Sequence, residues 1–269
     1  MDFHSTPVAS PINAHDRELF RIIPCKALSF NDPLYWLWLG WQDFKKAPLQ
    51  ALFYGLIILF ITYTIAFIVF LTGNYLLIFA SISAFMWISP ILAYGFYDTS
   101  RQLRQNKFPS LKRSLYSIFR NKTATWSFAA LLFFYCFFWT QIAGVIMLFY
   151  PPQHPVILPQ LVLFYGIGSL IGLILASVIF SISAFSMPLL MDRRVSIWTA
   201  MASSINVVKE NIFTSAFWAL IIFLAVLIGL ATFGLGLIIT LPIIGFSTWH
   251  AYRNTLFRHR AHEEGVLFI

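Results

Sequence analysis

Long apolar stretches with no charged residue constrain this chain more than any other feature it has. From about Gln50 to Leu71 no Lys, Arg, Asp or Glu occurs, and 14 positions are Leu, Ile, Val or Phe. At about −0.3 to −0.6 kcal/mol each, these favour insertion into a bilayer by about −4 to −8 kcal/mol. About twenty apolar residues suffice to cross the hydrocarbon as a helix. Five further stretches qualify: about Tyr75 to Tyr97, Thr125 to Leu148, Pro159 to Met187, Ile212 to Ala231 and Phe233 to Trp249. The expected fold is an all-α polytopic membrane bundle of about six spans. A soluble reading fails on composition, since only 10% of residues are charged and 59% are hydrophobic, whereas soluble domains are about a quarter charged.

Charge placement sets the expected orientation. The 18 Lys and Arg residues and the 10 Asp and Glu residues all fall before the first span, between spans two and three, between four and five, or after the sixth. The other connections, Thr72 to Asn74, Tyr150 to Pro159 and around Thr232, carry none. Positive residues stay on the cytoplasmic side, so both termini are expected there. The net charge of +8 is thereby explained by topology and anionic lipid, and no nucleic-acid partner is implied. Residues 1–31 read as a cytoplasmic tail, 32–257 as the membrane domain and 258–269 as a second tail.

Three amphipathic segments precede the odd-numbered spans. Leu34, Leu37, Trp38, Trp41 and Phe44 form one apolar stripe at helical spacing. Leu111, Leu115, Ile118 and Phe119 form the second, after Pro109. Trp198, Met201, Ile205 and Val208 form the third, with Ser196 as an N-cap. Such helices lie in the membrane interface, apolar side down. Each even-numbered span carries a proline toward its cytoplasmic half, Pro90, Pro188 or Pro242, expected to kink its helix. In two cases the offsets coincide: Pro90 leads to Asp98 and Arg101, and Pro242 to His250 and Arg253. The middle copy is shorter, Pro188 to Asp192 and Arg193. Three units of interfacial helix, span, and span with proline result.

These residues carry a family resemblance. Gly40-Trp41-Gln42-Asp43-Phe44, Pro90 through Arg101, Phe185 through Arg194 and Leu241 through Arg253 resemble the bacterial integral membrane proteins grouped as domain-of-unknown-function family 2189. The resemblance runs from about Leu34 to Phe257. It implies a bacterial inner membrane and no established activity.

Candidate chemistry is confined to the cytoplasmic membrane edge. One expectation is that Asp98, Arg101, Asp192, Arg193, His250 and Arg253 converge into a polar cluster for a lipid headgroup or an ion. The other is that these are helix-end charges that snorkel, pair and fix topology. Gly168, Gly172 and Ala176 form a small-residue stripe, expected to pack helices closely within the chain or in a homo-oligomer. No catalytic, metal-binding or cofactor motif occurs, and Cys25 and Cys136 are not expected to pair. The leading reading is a non-enzymatic membrane protein acting through helix packing, anionic lipid or a membrane-protein partner. A transporter or channel for a small or apolar solute is the second, and a lipid-acting enzyme the third.

Overall fold

Pro33 opens the first helix, where a missing N–H costs nothing. Helix α1 (Asp32–Lys46) follows, and Ala47 alone separates it from α2 (Pro48–Thr72). The computed structural model describes residues 22–73, 92–117, 122–150 and 158–256, and all regular structure among them is helical. Helical residues 92–104 form α3. The remainder are α4 (Leu111–Ser117), α5 (Lys122–Met147), α6 (Leu158–Ser183), α7 (Ser186–Asp192), α8 (Ile197–Glu210), α9 (Ile212–Ala231) and α10 (Leu237–Leu256).

Four of these segments are long and apolar enough to cross a membrane: Pro48–Thr72, Thr123–Met147, Leu158–Asp192 and Ile212–Ala231. They match the first, third, fourth and fifth expected spans. Their large side chains face outward, with Phe60 74% and Phe70 82% exposed, as lipid-facing surface must be. Most of the second expected span, with Pro90, lies outside the described residues. The sixth differs from expectation. Its helix starts at Leu237 after a turn through residues 232–236 and runs on to Leu256. It is not among the four apolar helices, because its second half carries His250, Arg253 and Asn254 and is buried in the protein.

Helix α10 is the centre of the packing. It lies along α1 and α2 and returns beside α9. Glycines permit the approach. A Cβ on Gly40 would fall 2.0 Å from Ser247 Oγ and 2.7 Å from the Ile243 carbonyl. One on Gly55 would fall 2.5 Å from the carbonyl oxygen of Ile238. That oxygen is the acceptor Pro242 leaves vacant, since proline has no N–H to donate to residue i−4. Pro242 thus sits inside α10 as expected, and α2 meets the resulting gap with its smallest residue. Around this seam lie the large buried rings: Trp36 meets Trp218 edge-on at 5.6 Å, and Phe96 meets both Tyr54 and Phe246.

Pro188 has no N–H for the carbonyl four residues back, that of Ala184, and its span is interrupted there. The helix breaks at Ala184 and Phe185, and Pro188 lies in the first turn of α7 that follows. Ser204 of α8 enters the break: its hydroxyl donates to the Ser181 carbonyl at 2.7 Å and accepts from Phe185 N–H at 3.1 Å. The orphaned backbone groups of a broken helix are met by a neighbouring side chain.

The amphipathic segments form α1, α4 and α8, and Ser196 caps α8 by accepting from Thr199 N–H at 3.1 Å. Their apolar stripes face out: Leu34, Trp38, Trp41, Leu115, Trp198 and Ile205 are exposed. The inward faces are small or polar, namely Gly40 and Asp43, Ser114, and Ser203 and Ser204. Trp36 is the exception to its tryptophan cluster, fully buried against Trp218. The junctions α1–α2 and α8–α9 share one backbone geometry. Ala47 has φ −132° and ψ 53°, and Asn211 has φ −130° and ψ 47°. Each donates its N–H to the fourth residue back, at 2.9 and 3.0 Å.

Residues 22–31 do not behave as a loose tail. Ile23 N–H donates to Ser203 Oγ, Lys26 N–H to the Thr255 carbonyl, and Leu28 N–H to Asn211 Oδ1 at 2.7 Å. The segment straps α8 to the end of α10. Neither Cys25 nor Cys136 is in a disulfide.

Candidate functional site

The charged residues gather where α3, α7 and α10 end, and they divide into three groups. The first centres on Asp98, whose side chain is buried on α3. Its Oδ2 accepts from Gln102 Nε2 at 2.6 Å and from Ser114 Oγ at 3.3 Å, and Arg101 Nε lies 3.7 Å from Oδ1. Gln102 is one helical turn on, so the pair shares a face. Its amide oxygen in turn accepts from Ser110 N–H at 3.0 Å. The carboxylate thereby fixes α4 against α3.

His250 belongs to the second group. Its Nε2 lies 2.7 Å from Asp43 Oδ2, with both side chains only 10% exposed. The bond joins α10 to α1. Asp98 ties α3 to α4, and His250 ties α10 to α1. Those two do not converge.

The third group forms a cleft. Arg101 and Arg104 come from α3, Gln105 from the turn after it, Asp192 from α7, and Trp249 and Arg253 from α10. They line a half-open cavity of about 220 Å³. Asp192 Oδ2 accepts from Tyr252 O–H at 2.8 Å, and Arg193 Nη2 donates to the Leu256 carbonyl at 3.3 Å. Burial holds the Arg253 guanidinium below its ordinary value, and the positive charge of Arg104 adds to the effect. Three of the six expected cluster residues, Arg101, Asp192 and Arg253, thus share a wall. Asp98 lies behind Arg101, Arg193 is turned to the end of α10, and His250 is elsewhere.

Residues 78–192 match the model of a family described as Predicted integral membrane protein (DUF2189). It is the family whose resemblance the sequence carries. The matched segment contains Asp98, Arg101, Arg104 and Asp192, hence two of the three helices that form the cleft. Gly40–Phe44 and Leu241–Arg253 lie outside it. No match is found among curated proteins or solved structures.

Sequence reasoning missed Arg104, Gln105, Trp249, Tyr252 and Asp43. The repeating Arg101–Arg104 and Trp249–Arg253 spacings, three and four apart, place each pair on one helix face and were the available signal. Asp43 gave less, because its partner is 207 positions away. Among the described residues no group of His, Cys, Asp and Glu has metal-binding geometry.

The small-residue stripe has a separate location. Gly168 and Gly172 line an apolar cavity of about 210 Å³ between α5 and α6, with Trp139, Ile142 and Phe164. A Cβ on Gly172 would meet nothing within 4 Å, and one on Gly168 only Ile146 at 3.9 Å. Within the chain this is an open groove rather than a close-packed seam.

Proposed function

We propose that this chain is a six-span protein of a bacterial inner membrane, with both termini cytoplasmic, that works without catalysing a reaction. It acts through its packed charged end, in contact with anionic lipid and a membrane partner, in assembly or envelope maintenance. The observation that carries this reading is the engagement of its acid–base groups in structure. Asp98 is held by Gln102 and Ser114, His250 by Asp43, and Asp192 by Tyr252. A carboxylate used to tie two helices is poorly placed to exchange protons with a substrate.

Three related units support the architecture. The shared backbone at Ala47 and Asn211 marks the first and third. Buried positions recur in step: Gly40, Ala51 and Tyr54 in the first, Ser114, Thr125 and Phe128 in the second, Ser204, Ser215 and Trp218 in the third. Each unit's terminal helix then packs on the amphipathic helix of the next: α3 on α4, α7 on α8, and α10 back on α1. The transport reading draws less support, since the polar cleft and the apolar groove have no lining residue in common.

Purified protein reconstituted in liposomes of mixed native lipid should leave lipid composition unchanged on prolonged incubation and move no solute. Cross-linking in native membranes should capture a specific neighbour. Time-dependent appearance of a lipid product, abolished by His250→Ala, would overturn the reading.

A further inference from the structure

The cleft formed by α3, α7 and α10 has the electrostatics of an anion receptor. Arg101, Arg104 and Arg253 face one carboxylate, Asp192, among its lining residues. Beyond the wall, Asp98 behind Arg101 and Arg193 near Arg253 offset one another, which leaves a surplus of two positive charges among the described residues. Such a surplus in a partly buried site is unfavourable by itself, because like charges repel strongly where water is scarce. We propose that this cleft binds a phosphoryl group, either inorganic phosphate or the phosphomonoester head of an anionic lipid. The proposal rests on the anionic-lipid reading above and gives it a site.

Five features bear on that choice. A phosphomonoester carries about −1.5 to −2 at pH 7, which matches the surplus. Guanidinium groups arrive from two different helices, and each can present two parallel N–H donors. A tetrahedral phosphoryl group offers enough oxygens to receive several such forks, whereas a carboxylate fills with one. Trp249 lines the same cavity, and its indole N–H is buried with no hydrogen-bond partner among the described residues. The cavity, at about 220 Å³, has room for about seven waters at about 30 Å³ each, enough for a phosphoryl group and part of its hydration. Asp192, fixed by Tyr252 O–H, can accept from a singly protonated phosphate and disfavours fully ionised sulfate-like anions.

The test uses the full chain in two settings. Titration calorimetry in neutral detergent measures inorganic phosphate. Native mass spectrometry from nanodiscs of phosphatidylcholine, with and without phosphatidic acid, counts bound lipid. Arg104→Gln is the principal variant, since Arg104 is exposed and its loss spares the packing. Arg253→Gln is the second. Lys45→Gln, on exposed surface of α1 outside the cleft, is the control. Arg104→Gln should weaken binding about tenfold, as loss of a charge-assisted hydrogen bond does, and Lys45→Gln should change it less than about twofold. Binding of phosphate in detergent with that pattern supports the site and names a soluble anion. Binding of phosphatidic acid alone with that pattern supports it and names a lipid. Equal weakening by Arg104→Gln and Lys45→Gln overturns the cleft while diffuse contact with anionic lipid survives. No binding of either ligand overturns both.

Discussion

The seam between α1, α2 and α10 and the hairpin of α5 and α6 are built from similar residues, yet they pack in opposite ways. Glycines report the difference. At Gly40 and Gly55 a single added carbon would collide with backbone of α10, whereas at Gly144, Gly166 and Gly172 it would meet nothing within 4 Å. Buried rings and the Asp43–His250 hydrogen bond occupy the first region; exposed apolar side chains cover the second. In hydrocarbon, burial of apolar surface gives no advantage to helix association, so close backbone approach and polar bonds must supply it. The seam has both. The hairpin has Tyr135 O–H donating to the Leu175 carbonyl, and leaves a groove beside it. One region is a finished core, and the other is surface awaiting lipid or a neighbouring chain.

The contrast is broken most directly at Gly40. Gly40→Val should destabilise the protein by about 3 kcal/mol, the scale of overpacking against an immovable backbone, read as a fall in thermal midpoint in detergent. An unchanged midpoint would mean that α1 does not sit on α10. His250→Ala should cost about 2 kcal/mol by leaving the Asp43 carboxylate buried without its partner, and His250→Gln should recover part of the loss by keeping a hydrogen bond. Cys25 sharpens the comparison from the strap side. Burial, with the nearby charge of Glu210, pushes its thiol above the ordinary value. A raised pKa means less thiolate at neutral pH and slower alkylation. Cys25 should therefore react several-fold more slowly than a free cysteine at pH 7.5 and gain rate as pH rises. Asn211→Ala, which removes two of the strap's side-chain anchors, should narrow the difference. The smallest effect belongs to the hairpin: Gly172→Ala should shift stability by no more than about 0.5 kcal/mol, and a large loss would show that the groove is closed by something the isolated chain lacks.

The apolar helices were legible because hydropathy alone marks a span, and four of them match the structure closely. The sixth segment was placed four residues early. Thr232, Phe233 and Gly234 signalled a turn, but the sequence could not show that the turn continues to Gly236. The amphipathic helices were found by their apolar stripes, which face outward. Their inward faces escaped notice because Gly40, Ser114, Ser203 and Ser204 resemble ordinary polar surface until a partner helix is in place. Charge at the membrane edge was equally visible, whereas its division among three groups depends on α10 lying against α1. Asp43 and His250 meet across 207 residues, and no local pattern encodes that contact.

That same separation has a consequence for how the chain is made. Ribosomes add about 5 to 20 residues per second, so about 10 to 40 s pass between the synthesis of Asp43 and that of His250. Throughout that interval the groove side of α1, with its carboxylate and its bare glycine, has no mate within its own polypeptide. Completion of α10 supplies the mate, and a chain truncated before Leu237 would leave that side of α1 without the partner for Asp43.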